Sequence, residues 1–253
     1  KITLAKVEKW IAAHQERRFM VFVRLRELRT PTRLARYGEG FLGRGRTPTP
    51  RDIYDTALAD VDKRLGAFFE RLDAMPAKEA TCYVVTSPYG FDFQEPGRAA
   101  WRQTGPPQRK LTESALRVPL IFTAPGHAAR ERNILVGLED AAPTLIELAG
   151  ISPAPDETSL LDFGVQREPV SMMGVPTALS LRTRAWRFTW QSGRDPYSLE
   201  VLEDPAPMAL TSIDYYRRNL RQTNDLGRNP DTVEQLRTRL WQYLSQHSPA
   251  NTP

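Results

Sequence analysis

The chain has 253 residues and 40% hydrophobic content, enough for a large domain or a domain with an appendage, and too apolar for collagen or a disordered tail. Lys and Arg number 35 against 30 acids, a net charge of +5 spread too thinly to point to nucleic acid, so no nucleic-acid partner is expected. No stretch approaches the roughly 20 apolar residues of a membrane span, and the single cysteine, Cys82, excludes an internal disulfide.

Leu4, Val7, Trp10 and Ile11 recur at helical spacing behind Thr3 as N-cap, which predicts a helix from about 4 to 16. His14, near its end, has no second ligand type at i+3 or i+4 and reads as a surface or capping histidine. Phe19 to Val23 is a continuous apolar run and reads as a buried strand. Arg24, Arg26, Arg29, Arg33, Arg36, Arg44 and Arg46 then cluster, as a solvated basic surface or a contact for an acidic partner. Residues 34–50 carry the glycines and prolines of a loop. Tyr54, Ala57, Leu58, Val61, Leu65, Phe68, Phe69 and Leu72 form one stripe, which predicts a long helix over about 51–74. Asp60 and Asp62 lie two apart on that helix and so point to different faces.

Two further apolar runs, 81–86 and 118–123, read as buried parallel strands bracketing a long polar loop. Loops of that length are usually binding loops or active-site lids. Cys82, inside the first run, reads as a small buried hydrophobe. Ala124-Pro125-Gly126-His127 is a turn leaving the sheet, and Ile134 to Val136 is a candidate short strand. Asp140 to Ile151 reads as a helix with Asp140 as N-cap, Pro143 in the first turn and Gly150 just past the end. Residues 152–169 are rich in Pro, Asp, Ser and Gly, as a boundary loop would be. Strands are predicted at 178–183, 186–190 and 199–202, forming a small antiparallel sheet. Trp186 and Trp190 are expected on one face of the middle strand and Phe188 on the other, packing against a helix. Ile213, Tyr216 and Leu220 suggest a helical turn or two. Asn229-Pro230-Asp231 opens a terminal helix with Val233, Leu236, Leu240, Tyr243 and Leu244 inward.

The order of these parts resembles the sulfatase family of the alkaline phosphatase superfamily. Three stretches carry the resemblance: Glu113 to Pro119, which reads Glu-x-x-x-Arg-Val-Pro; Asp140 to Ile151, with Asp-x-x-Pro-Thr-Leu ahead of Gly150; and the terminal strands with their helix. The resemblance implies an α/β fold, part of a sulfatase-like sheet flanked by helices, plus a small C-terminal antiparallel subdomain ending in a helix. It divides the chain into a core at 1–151, a linker loop at 152–175 and a subdomain at 176–253. It covers the second half of the family's fold. Lys1-Ile2-Thr3 is not an initiator sequence, in keeping with a piece of something longer.

In the family a metal-binding Asp-His or Asp-Asn stands between Ser and Gly after the first core strand. Here Pro88 and Tyr89 stand there. The family's substrate-facing His in a His-x-Pro segment corresponds to Arg29 ahead of Pro31. Its sulfate-binding Lys corresponds to Lys110, with Arg109 as competitor. The resemblance therefore implies a vestigial substrate pocket of Arg29, Pro88, Tyr89, Arg109 and Lys110, with no catalytic residue, metal or other cofactor. Asp92 and Glu95 are the weak alternative for a relocated metal. Glu113, Arg117, Asp140, Pro143 and Thr144 take architectural roles.

Expected partners are the N-terminal half of the same fold, or another protein chain, completing the sheet. The implied location is periplasmic or extracellular. The expected function is that of a catalytically inactive structural or binding subunit. The rival is a divergent sulfuric- or phosphoric-ester hydrolase whose nucleophile and metal ligands lie outside this chain.

Overall fold

A computed structural model describes residues 3–29, 48–91, 111, 113–132, 134–155, 157–162, 167–173, 178–191, 197–201 and 226–247. The expectations at residues 33, 36, 44 and 46, at 92 and 95, and at 213, 216 and 220 lie outside these. Contacts divide the chain into two compact units, 1–108 with 121–127, and 109–120 with 128–253.

In the first unit, α1 runs Leu4–Ala12 and buries Val7 and Ile11. Thr3 is its N-cap residue but makes no side-chain cap bond. The helix stops earlier than its apolar spacing predicts, and His14 turns back at its end. The His14 Nδ1 lies 2.7 Å from the Trp10 carbonyl oxygen and its ring stacks on Trp10 at 4.2 Å. The long helix α2 spans Pro50–Asp73. Its start is specified locally: Asp52 N–H donates to Thr49 Oγ1 at 3.2 Å while Thr49 N–H donates to the Asp52 carboxylate at 2.7 Å. Pro50 at N1 adds a φ already suited to the helix.

Ala57, Val61, Phe68 and Leu72 of the predicted stripe are buried, whereas Leu58 at its margin is 43% exposed. Val7 and Ile11 pack with Phe68 and Leu72 into one cluster, edged by Leu4, Phe19, Phe69, Met75 and Tyr83. The Arg71–Glu8 pair at 2.6 Å ties α2 to α1 beside it. Glu27 meets Arg64 of α2 at 3.3 Å. Burial raises the Glu27 pKa, but hydrogen bonds from backbone N–H groups and from Arg64 outweigh that and hold it below its ordinary 4.5.

Strands β1 (Tyr83–Thr86) and β2 (Leu120–Thr123) form a two-stranded sheet. Both start later than predicted, and neither is covered on both faces: alternate residues of β2 are exposed, Ile121 at 55%. The Phe19–Val23 run is not a strand. It has no regular structure, and Met20 and Phe22 are 82% and 84% exposed. A strand exists only through a hydrogen-bonded neighbour, and apolar character alone does not supply one. Ile134–Val136 is likewise irregular. The Pro125-Gly126 turn forms as expected, with Gly126 at φ 75° and His127 N–H donating to the Ala124 carbonyl at 3.2 Å.

In the second unit, a one-turn helix α3 (Glu113–Leu116) precedes α4 (Ala141–Leu148). Gly150, at φ 78°, ends α4 in a Schellman motif: Ile151 N–H reaches the Ile146 carbonyl and Gly150 N–H the Glu147 carbonyl. The small sheet has four antiparallel strands in the order β3-β4-β5-β6. They are β3 (Val170–Met173), β4 (Ala178–Arg182), β5 (Trp186–Gln191) and β6 (Tyr197–Val201). β3 was not expected; it lies within the 152–175 stretch and pairs Val170 with Leu181 through Met173 with Ala178.

The expected split of Trp186 and Trp190 from Phe188 does not occur, because residues two apart share a face of a strand. Phe188 is fully buried with Leu179, Leu181, Leu236 and Leu240, and both tryptophans pack on that same cluster. Leu236 and Leu240 come from the terminal helix α5 (Pro230–His247), whose Val233 and Leu244 flank them as predicted. Trp190 meets Trp241 of α5 edge-on at 5.6 Å.

Candidate functional site

β1 delivers the chain into Ser87-Pro88-Tyr89-Gly90. Ser87 Oγ–H donates to the Tyr89 carbonyl oxygen at 2.7 Å, closing a tight polar turn. Pro88 is exposed, and Tyr89 and Gly90 are half-buried. Phe91 then packs against Tyr54 of α2, with ring centroids 4.6 Å apart and planes tilted by 37°. The side chains presented at the end of β1 are thus a hydroxyl already committed to its own turn, a pyrrolidine ring and a phenol. Just before β1, Cys82 is half-buried, and desolvation raises its thiol pKa above the ordinary 9.0. The same burial, with repulsion from Asp73, raises the Tyr83 phenol above 10.0.

Of the other pocket residues predicted, Arg29 ends a short 3-10 turn, Glu27–Arg29, and its side chain lies outside the description. Arg109 and Lys110 lie outside the described residues altogether. Glu113 opens α3 and Arg117 follows it, exposed and partnered.

The best-defined polar cluster is the one around Asp140, in the second unit. Asp140 is 1% exposed, and its expected side-chain cap on α4 is absent. One carboxylate oxygen instead accepts the Gly137 N–H at 3.0 Å, and the other pairs with Arg167 at 2.9 Å. Thr144, also 1% exposed, donates to the Asp140 carbonyl at 2.6 Å and accepts the Leu160 N–H at 2.8 Å. Pro143 is buried beside it. The cluster joins the turn before α4, the helix itself and the segment after it. The sequence does not single out Arg167, since nothing about a lone Arg 27 positions from Asp140 marks the pair.

A model of the sulfatase family matches residues 1–151. The choline-sulfatase of Rhizobium meliloti is 28% identical over 176 residues, 64% of this chain and 33% of that protein. Among solved structures, a putative sulfatase from Bacteroides thetaiotaomicron superposes with a TM-score of 0.61 at 18% identity, over 78% of this chain and 42% of that one. A phosphonate monoester hydrolase from Silicibacter pomeroyi gives 0.56 at 16% identity, over 90% and 50%. At such identities the two structures establish the fold. The chain spans about a third of the curated relative's length and half or less of the solved ones.

A sulfatase-type metal site is built from hard oxygen donors converging on one point. Pro88 has no side-chain oxygen, and Tyr89 brings a phenol, a poor ligand for a hard divalent cation. The side chains at the end of β1 do not fit that metal. Among the described residues, no group of three His, Cys, Asp or Glu side chains is placed to hold one elsewhere.

Proposed function

Since the chain belongs to the sulfatase family, we propose that it carries the family's scaffold without its metal chemistry and serves as a structural or binding subunit of a larger assembly. The observation that carries this is the Ser87-Pro88-Tyr89-Gly90 turn: it occupies the end of a core strand with the right backbone punctuation and the wrong donors. Arg29 in place of a histidine supports the same reading, because a guanidinium can hold an anion but cannot donate a proton near neutral pH. Lys110 and Arg109 would then be remnants of an anion pocket. The core, linker and subdomain divide at 151 and 175 in this reading. A periplasmic or extracellular location follows from the family alone; among the described residues no helix is long and apolar enough to cross a membrane.

The identity to a choline-sulfatase favours a second reading, an ester hydrolase whose nucleophile and remaining metal ligands come from polypeptide outside these residues. The two readings separate by experiment. Calorimetric titration of the 253-residue chain with calcium is expected to show no binding, and assays with aryl sulfates and aryl phosphates no sustained turnover. Product release that is lost in a Lys110→Ala variant, or calcium binding lost on changing residues 86–90, would overturn the first reading. A Cys-x-Pro-x-Arg or Ser nucleophile motif in a longer form of the protein would support the second.

A further inference from the structure

A cavity of about 490 Å³ opens along one flank of α5, within the size range of small-molecule sites. Its described lining is Glu234, Arg237, Thr238, Trp241, Gln242 and Ser245, which recur every three or four residues and so share one face of the helix. Trp241 is the anomaly on that face. The residues that hold α5 to the small sheet are Val233, Leu236, Leu240 and Leu244, and that stripe is complete without it. Trp241 stands outside the stripe and is 41% exposed. Trp190 meets it edge-on, with ring centroids 5.6 Å apart, and Trp190 is itself packed on the buried cluster of the sheet. A half-open indole is therefore backed by an anchored one.

The polar groups around the ring carry little free charge. Arg237 Nη2 donates to both oxygens of Glu234, at 2.8 and 2.6 Å, so the two charges cancel. Thr238 adds a hydroxyl and Gln242 an amide, each able to donate and to accept. Ser245 Oγ–H donates to the Gln242 backbone carbonyl at 2.8 Å, which leaves the oxygen's lone pairs to accept. We propose that this flank of α5 binds a neutral saccharide, with a pyranose ring laid on Trp241. An indole presents a broad apolar face suited to the C–H side of a sugar ring, and uncharged groups that both donate and accept suit its hydroxyls. A nucleotide would use the same indole but brings a phosphate, and among the described lining residues the one cation is already paired. A sulfated sugar meets the same objection. The inference goes beyond the function proposed above and stands without it: the flank shares no residue with the turn at the end of β1.

Titration of the 253-residue chain with cellobiose, maltose and chitobiose tests it, followed by the Trp241 indole N–H in nitrogen-15 NMR spectra. A saturating shift with at least one of them is expected, with a Kd on the order of 1 mM. Measured by calorimetry, Trp241→Ala should weaken that binding at least about 10-fold and Gln242→Ala about 3-fold, while Trp241→Phe, which keeps an aromatic face, should retain most of it. Gln242→Ala and Trp241→Phe keep the test informative if circular dichroism shows that Trp241→Ala has lost its fold. A Trp241 signal unmoved by all three sugars would overturn the proposal, and so would undiminished binding in folded Trp241→Ala. Binding of glucose 6-sulfate or adenosine monophosphate with all three neutral sugars left unbound would also overturn it, because the flank would then read an anion. Failure of the non-catalytic reading shows separately, in the aryl sulfate assays, and leaves these titrations unchanged.

Discussion

Asp140 shows what a single buried carboxylate does in this chain. Its two oxygens are divided between the Gly137 N–H and the Arg167 guanidinium, and its carbonyl takes the Thr144 hydroxyl. Asp140→Ala removes both acceptors and leaves Arg167 facing a cavity. Because Arg167 is 30% exposed, the penalty is screened, and a loss of about 2–3 kcal/mol is expected from urea unfolding. Thr144→Val, which strips the Leu160 N–H of its acceptor, should cost about 1–2 kcal/mol and be less than additive with the first change. Cys82 provides a second test. Desolvation favours the neutral thiol, so the folded thiolate appears only above the ordinary 9.0, and the unfolded chain ionises first. Alkylation by iodoacetamide should be slow at pH 8 and accelerate past pH 9, where the same linkage begins to weaken the fold. Rapid labelling at pH 7 would show a reactive thiol instead. Pro88 and Tyr89 stand out in the sequence because the resemblance sets an expectation for the two positions between Ser87 and Gly90. It concealed Arg167 because an ion pair between distant positions leaves no periodic trace.

Among the elements, those that stabilise themselves were readable in advance. The α2 stripe and the α5 contacts follow from helical spacing, and the Gly150 stop from the left-handed φ that glycine tolerates. The start of α2 rests on Thr49 and Asp52, and Thr49→Ala should destabilise the chain by about 1 kcal/mol, measurable as a lower urea midpoint with an unchanged slope. Thr49→Ser should restore most of it; an equal loss with serine would show that the threonine methyl, and not the cap, matters. Strands were less legible, since each depends on a neighbour elsewhere in the chain. β3 was missed because Val170 to Met173 is short and sits in a stretch whose composition reads as loop, yet it pairs along its whole length with β4. Phe19–Val23 is the opposite case, a run with every local mark of a strand and no described neighbour to make it one. Trp186, Phe188 and Trp190 belong to one face by the two-residue repeat of a strand, and the buried cluster with Leu236 and Leu240 follows from it.

At the scale of the molecule, each unit has its own apolar cluster with no residue in common. Val7, Ile11, Phe68 and Leu72 hold α1 to α2, and Leu179, Leu181, Phe188, Leu236 and Leu240 hold the small sheet to α5. α5 supplies two fully packed leucines, each of which would cost about 2–5 kcal/mol if cut to alanine. Ending the chain at Asn229 removes both, together with Val233 and Leu244, and bares Phe188 and Leu181 on the sheet face. A domain is stable by only about 5–15 kcal/mol, so β3 to β6 cannot survive that loss. The α1–α2 cluster draws nothing from α5, and its Glu8–Arg71 and Glu27–Arg64 pairs are untouched. The expected outcome is a split one: hydrogen–deuterium exchange of the truncated chain should show free exchange across 170–191 and retained protection across 57–72. Protection lost equally in both regions would mean that the units fold as a single cooperative block. Protection kept in both would mean that α5 is not what closes the small sheet.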